Sequence, residues 1–339
     1  MKRFVNLILK IGISILIAIG FGVWIESKGI KLIPPKDYFS SVRWDYVLLY
    51  IVFLSLVHFF RAYRWYYLVK PLNPQISPIR TTAIAFVGFM AIMLLPLRTG
   101  EFARPYFIST TGNISMSSGL GTIAIERVID GLLLSMVLTI CLLLLPEGDY
   151  PNWVNYIGWL TFSLFLFALI ILIIILIFKD RIIVLFERLF FFLPKKILLR
   201  ILSIIKGFID GLTSLPDKKA LFPFIFFTFI YWGINGFSMW ELAKGCGIEL
   251  PLIAGYTVMS ILAVGILLPT GPGLFGNFQA GIYLAFTLYL PEAIIQRNGA
   301  VYIFIIYTIQ VALTVILGTL SMFTSHISFK KIIVDQSTV

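Results

Sequence analysis

Long apolar runs separated by short polar stretches dominate this chain of 339 residues. A helix rises about 1.5 Å per residue, so about 20 apolar residues cross the roughly 30 Å hydrocarbon layer of a bilayer. On that scale the pattern predicts helices over 4–25, 46–69, 79–96, 120–145, 153–178, 220–243, 252–268, 274–290 and 300–325. The runs 153–178 and 300–325 hold no Asp, Glu, Lys or Arg. They are continuous rather than alternating, unlike a barrel strand. Backbone at membrane depth must then bond within its own helix. The expected fold is an all-α polytopic integral membrane protein, one domain over 1–339, with about eight membrane helices or more. The first run could pass for a secretory signal, but its 22 residues exceed the usual apolar core and Glu26-Ser27-Lys28-Gly29 offers no cleavage pattern. A retained span is expected.

Composition points the same way. The chain is 59% hydrophobic and only 13% charged, with a mean hydropathy of +0.98. Soluble domains carry about 25% charged residues, which excludes an ordinary soluble enzyme, a disordered chain and a fibrous protein. A net charge of +11 raises nucleic acid as a partner, yet basic residues of membrane proteins gather in cytoplasmic loops, and no nucleic-acid module is present. Cys141 and Cys246 are too few for a disulfide framework or a thiolate metal cluster. His58 and His326 belong to no compact ligand set, no catalytic triad is discernible, and Gly271–Gly276 lacks the lysine of a phosphate loop. No cofactor is expected.

Loop charge sets an orientation. Residues 179–219 carry nine basic and four acidic groups, whereas 146–152 carries two acidic and no basic ones. The excess of Lys and Arg places the long linker inside and the short loop outside. The four basic residues of 61–80 and the pair Lys330 and Lys331 agree, giving cytoplasmic N and C termini in a cell inner or cytoplasmic membrane. The loop 26–43, with four basic and two acidic residues, argues the other way. Within 179–219, apolar and basic positions alternate as in amphipathic helices, fitting either an anionic inner leaflet or the underside of the bundle.

Two segments depart from plain spans. Leu95-Pro96 is followed by Gly100, and Leu268-Pro269 by Gly271 and Gly273; in each, a proline and a glycine stand four apart. Proline breaks the helical ladder, while glycine permits turns and close approach. The 42 residues from Leu250 to Pro291 contain no Asp, Glu, Lys or Arg. Re-entrant hairpins and paired full crossings both satisfy the side-to-side parity. Broken helices repeated in opposite sense would bring polar groups and helix ends to one sheltered site, as in inverted-repeat transporters. Pro96, Gly100, Pro269, Gly271 and Gly273 are then the expected hinges.

Arg98, Glu101 and Arg104 flank the first break, and Glu126, Arg127 and Asp130 follow at the start of the next apolar segment. A lone charge at the bilayer centre costs about 2.5–3.5 kcal/mol on an insertion scale, so these groups need partners or water. Arginine's planar fork suits phosphate oxygens, so one reading has the arginines bind a lipid phosphate while the acids orient them. The other is pairing at interfacial helix ends. Arg61 and Arg64 read more readily as positive-inside anchors.

Arg61-Ala62-Tyr63-Arg64-Trp65, Leu95-Pro96 through Arg104, Glu126-Arg127-Val128-Ile129-Asp130 and Pro269 through Gln279 together resemble the membrane domain of the lysylphosphatidylglycerol synthase family, also described as flippase-like. The resemblance covers most of 5–325 and implies elements that dip into the membrane and a role in lipid translocation or export. It carries over Arg98, Glu101, Arg104, Glu126, Arg127, Asp130 and Gln279 as substrate-binding residues, with Gln279 standing where the family's motif usually has an acid. Two-domain relatives add a soluble domain that modifies phosphatidylglycerol with aminoacyl-tRNA. No such domain fits in this chain, so aminoacyltransferase activity is not expected of it alone. The leading expectation is a flippase or transporter for a lipid or polyprenyl-linked glycolipid, its anionic headgroup in a central cavity. The alternative is a non-transport membrane subunit of a lipid or cell-envelope glycan synthesis complex. Expected partners are anionic membrane lipids, a separate lipid- or glycan-modifying enzyme and further copies of the chain, with nucleic acid excluded.

Overall fold

The computed structural model describes residues 2–145, 148, 150, 153–213, 217–267 and 271–325. Side chains 2–11, 96–98, 111, 153, 155, 324 and 325 lie outside the description, as do Glu147, Asp149, Pro269, His326, Lys330 and Lys331. Among the described residues the regular structure is helical throughout. In chain order the helices are α1 (Lys2–Ser27), α2 (Trp44–Val69), α3 (Pro78–Leu94), α4 (Ala103–Thr111), α5 (Met116–Leu143), α6 (Trp153–Ile177) and α7 (Lys179–Leu189). There follow α8 (Lys195–Leu212), α9 (Lys218–Gly245), α10 (Leu252–Gly265), α11 (Asn277–Phe286), the single turn α12 (Glu292–Ile294) and α13 (Ala300–Ser325). Local chemistry starts several of them. Ser115 caps α5 by accepting from the Ser118 N–H at 3.0 Å, and Asp217 caps α9 through the Lys219 N–H at 2.9 Å.

Six helices are long enough to cross a bilayer. α1, α2, α5, α6, α9 and α13 have 25 to 28 residues, or about 37 Å and more at the helical rise. α5 has the length of a span but carries three charges near its middle; it begins at Met116, so Glu126 and Asp130 lie further along the helix than the apolar run alone implied.

Between the long helices sit two hairpins. α3 and α4 have 17 and 9 residues, α10 and α11 have 14 and 10. Helices of 9 or 10 residues reach only about 15 Å. Each hairpin also returns to the side it left. Asn73, just before α3, donates to the Gly112 carbonyl after α4 at 2.8 Å, tying the two ends together. Asn298, just before α13, donates to the Cys246 carbonyl after α9 at 2.8 Å and closes the second hairpin in the same way. The tied ends fit either arrangement, but α4 and α11 fall well short of the roughly 30 Å hydrocarbon layer, which favours re-entrant hairpins.

The apices differ. A 3-10 helix, Pro96–Phe102, turns the first, and Gly100 lies against the backbone of Ala91 so closely that a side chain there would collide with it. The second turns through Pro272–Leu274, with Gly273 at φ 73°, a backbone that favours glycine.

The order long helix, hairpin, long helix therefore occurs twice: α2, α3–α4, α5, and then α9, α10–α11, α13. One crossing, α6, separates the halves, so the second hairpin opens from the opposite face. The packing is exchanged between halves: α2 lies along α9, α3 along α13, and α10 along α5. On the face between α6 and α9, α8 buries Leu202, Ile209 and Leu212 and packs under α5, whereas α7 buries no residue. α8 thus takes the packed placement beneath the bundle, with Phe191 and Phe192 exposed at the elbow between α7 and α8.

Candidate functional site

A cavity of about 160 Å³ lies within the bundle where α2, α3, α5, α9, α10 and α13 converge. Leu262, Leu267, Leu274 and Phe278 of the second hairpin and Phe89, Ile92 and Met93 of the first share its wall. Its polar lining includes His58, Arg61, Arg127, Asp130, Asn235 and Gln310.

Behind the wall runs a network of buried ions. Arg64 grips Asp130 with both arms of its guanidinium, at 2.8 and 2.6 Å, and also donates to the Thr228 hydroxyl at 2.7 Å. Asp130 accepts two further bonds at 3.0 Å, from the Tyr231 hydroxyl and the Trp232 indole N–H. Arg104 holds Glu126 in a second fork at 2.8 and 3.0 Å, and Arg64 links the pairs by approaching Glu126 to 3.5 Å. The side chains of Arg64, Arg104 and Glu126 are entirely out of solvent. Such pairs persist in the interior because each charge is matched by a forked partner, although the Nε of Arg64 and of Arg104 is left without a bond. Arg127, about a quarter exposed, pairs with Glu101 at 2.7 Å.

Arg61 stands apart. It lines the cavity, its guanidinium carbon lies 4.3 Å from the Phe89 ring centre, and its buried Nε has no partner. Among the described residues it forms no hydrogen bond or ion pair. Among the described side chains the cluster holds four guanidiniums, Arg61, Arg64, Arg104 and Arg127, and three carboxylates, Glu101, Glu126 and Asp130. Of these guanidiniums Arg61 is the one without an ion pair, and it lines the cavity.

The description of the lysylphosphatidylglycerol synthase TM region matches residues 8–318. The chain belongs to this family. It is also similar to a UPF0104 membrane protein of Methanocaldococcus jannaschii, 27% identical over 233 residues, which are 68% of this chain and 91% of that relative. No solved structure matches. The chain is thus a multi-pass membrane protein of a flippase-like family.

The stretches that carry the family resemblance meet at this site, though not in equal roles. Arg127 and Asp130 reach the cavity wall. Glu101 reaches it only through Arg127, and Arg104 and Glu126 satisfy each other behind it. Gln279 is buried and accepts the Gly276 N–H at 2.7 Å, closing the turn into α11 rather than facing the void. The Arg98 side chain and Pro269 fall outside the described residues. Gly100, Gly271 and Gly273 sit at the two apices; Gly271 lies against Ala18 of α1, and the Tyr307 hydroxyl donates to the Gly273 carbonyl at 3.1 Å.

Arg61 and Arg64 are the residues that sequence reasoning underrated. Near the end of a span they look like interfacial anchors, yet Arg64 is wholly buried and Arg61 opens on the cavity. The signal available was their spacing, three apart on one face of α2, matched by Glu126 and Asp130 four apart on one face of α5.

A second chamber of about 420 Å³ adjoins the first, with Val264 in the wall of both. Phe21, Leu138, Ile157, Ile261 and Leu284 make it apolar, and Asn277 is its single polar side chain. Water needs two to four polar partners to settle in such a space, whereas hydrocarbon needs none.

Proposed function

We propose that this chain binds the anionic headgroup of a lipid or polyprenyl-linked glycolipid in the central cavity and carries it between leaflets. The supporting observation is Arg61, a half-buried cation that lines the cavity and forms no ion pair among the described residues. An uncompensated charge partly out of water is costly, and a phosphate oxygen is the partner its planar fork suits best. Phe89 backs the guanidinium, so an incoming anion meets the donor edge.

Arg127 supplies a second donor at the rim, and Glu101, Glu126 and Asp130 hold the remaining arginines in place rather than touch the anion. The apolar chamber beyond Val264 suits the hydrocarbon tail, so headgroup and tail each find matching surroundings. The hairpins open from opposite faces, and rocking one against the other would expose the cavity to each side in turn.

Reconstitution tests this reading. Vesicles containing the protein translocate headgroup-labelled phosphatidylglycerol faster than empty vesicles, and Arg61→Gln removes most of the difference. Equal rates with and without protein overturn it.

A further inference from the structure

His58 lies one turn before Arg61 on α2, and both line the same cavity. Its Nδ1 is 2.9 Å from the Leu54 carbonyl, which can only accept, so Nδ1 carries a proton in every state. Its Nε2 faces α13, 3.0 Å from the Thr314 hydroxyl and 3.3 Å from the Gln310 amide. The Thr314 hydroxyl donates to the Gln310 backbone carbonyl at 2.7 Å.

This arrangement bonds the imidazole in two protonation states. In the neutral ring, Nε2 accepts from the Gln310 amide N–H. In the protonated ring, Nε2–H donates to the Thr314 oxygen, whose own proton already points to the Gln310 carbonyl. A rotation of the Gln310 amide then presents its oxygen in place of its nitrogen. Buried polar groups are normally satisfied in one state only, and the other is expelled by the cost of an unmade bond.

The charges around it set when the second state is populated. From α2 comes Arg61, and from α5 come Arg127 and Asp130; Tyr231 of α9 is the remaining titratable group in the cavity wall. The residues of α3, α10 and α13 that line the cavity are uncharged. Asp130 is held by Arg64 and Arg127 by Glu101, so Arg61 is the charge His58 meets unscreened. Two cations one turn apart oppose each other, and an anion bridging them attracts both.

We propose that His58 is a proton-binding site coupled to the anion at Arg61, so that headgroup and proton occupy the cavity together. The proton comes from water reaching the cavity, sits on Nε2, and leaves when the anion leaves; no covalent bond changes. Linkage makes the effect reciprocal: the anion favours the proton as much as the proton favours the anion. This rests on the anion-binding reading of the cavity.

The test uses the full chain in nanodiscs of uncharged lipid, titrated calorimetrically with short-chain phosphatidylglycerol. That probe is a phosphodiester, so its own charge does not change between pH 5 and 8. The wild-type affinity rises about tenfold from pH 8 to pH 5, and titrations in buffers of different ionisation heat report uptake of up to one proton per anion. His58→Gln binds with one affinity throughout and takes up no proton. Thr314→Val, which keeps the imidazole but removes the acceptor of its Nε2–H, flattens the pH dependence and covers the case in which His58→Gln does not fold. The same pH dependence in either variant as in wild type overturns the proton site. Absence of phosphatidylglycerol binding to wild type at every pH overturns the cavity reading, and with it this proposal.

Discussion

Arg61→Gln and Arg104→Gln remove the same charge from places one helix apart, and their effects should be opposite in kind. Arg104 and Glu126 share two hydrogen bonds with no solvent contact on either side chain. Removing Arg104 leaves the buried Glu126 carboxylate with only the 3.5 Å approach of Arg64, a loss of about 3–5 kcal/mol. Arg61 has no ion pair to lose, so its replacement costs only its contact with the Phe89 ring, about 0.5–2 kcal/mol. Its loss falls on the ligand instead. A charge-assisted hydrogen bond contributes about 1.5–3 kcal/mol, or about ten- to hundredfold in affinity. Thermal unfolding in detergent, run beside phosphatidylglycerol titration, separates the two. Arg104→Gln unfolds at markedly lower temperature, and Arg104→Gln with Glu126→Gln recovers much of the loss because no lone charge remains. The reasoning fails if Arg61→Gln destabilises as much as Arg104→Gln, or if it leaves anion affinity untouched.

Asp130→Asn leaves Arg64 without its forked partner and disturbs the Tyr231 and Trp232 bonds, a loss of about 3–5 kcal/mol visible as a lowered unfolding temperature. Glu101→Gln is gentler, because both partners of that pair are about a quarter exposed: stability changes by about 1 kcal/mol or less, while the freed Arg127 tightens phosphatidylglycerol binding. Unchanged binding would show that Arg127 does not serve the anion. For orientation, a cysteine replacing the exposed Phe192 reacts with a membrane-impermeant maleimide in inside-out vesicles but not in intact cells, as the basic linker requires; labelling of intact cells would reverse the assignment.

The spans were legible because lipid imposes its length scale on the chain: all nine apolar runs became helices. Their depth was less so. The runs 252–268 and 274–290 look nearly long enough to cross, and only the fold shows that α10 and α11 stop at 14 and 10 residues, ending in a proline-glycine turn. The charges show a similar boundary. That Glu126 and Asp130 share a face of α5 follows from a spacing of four. Which arginine each would meet does not, since Arg64 lies 66 positions from Asp130 and Arg104 lies 22 from Glu126. Arg61 and Arg64 resemble each other in sequence, yet one is saturated and the other is not, a difference that exists only after α2, α5 and α9 have packed. Gln279 is the opposite case. It stands three residues after Gly276 at the start of a helix, where a glutamine commonly accepts the N-cap N–H, so its structural task was within reach of local reasoning.

The two halves share a backbone plan but not a chemistry, and that inequality bears on which part moves. All seven charged members of the cluster lie between Arg61 and Asp130, on α2, the first hairpin and α5. Forked ion pairs tie α2, α4 and α5 to one another, and breaking any one exposes charge to lipid or void. The second hairpin, α10–α11, contains no Asp, Glu, Lys or Arg. It is held by apolar packing and a few neutral bonds, such as Thr257 to the Tyr289 hydroxyl at 2.8 Å and Tyr307 to the Gly273 carbonyl. Apolar contacts are not directional and can be exchanged for similar ones during a slide, whereas a buried ion pair cannot be stretched without large cost. The first half is thus suited to holding the anion, and the second to opening the cavity beside it. Hydrogen exchange reads this difference directly: amides of α10 and α11 exchange faster than those of α4 and the middle of α5, and adding phosphatidylglycerol slows the second hairpin more than the first. Equal protection of the two hairpins would show that the ionic half is no more rigid than the apolar one.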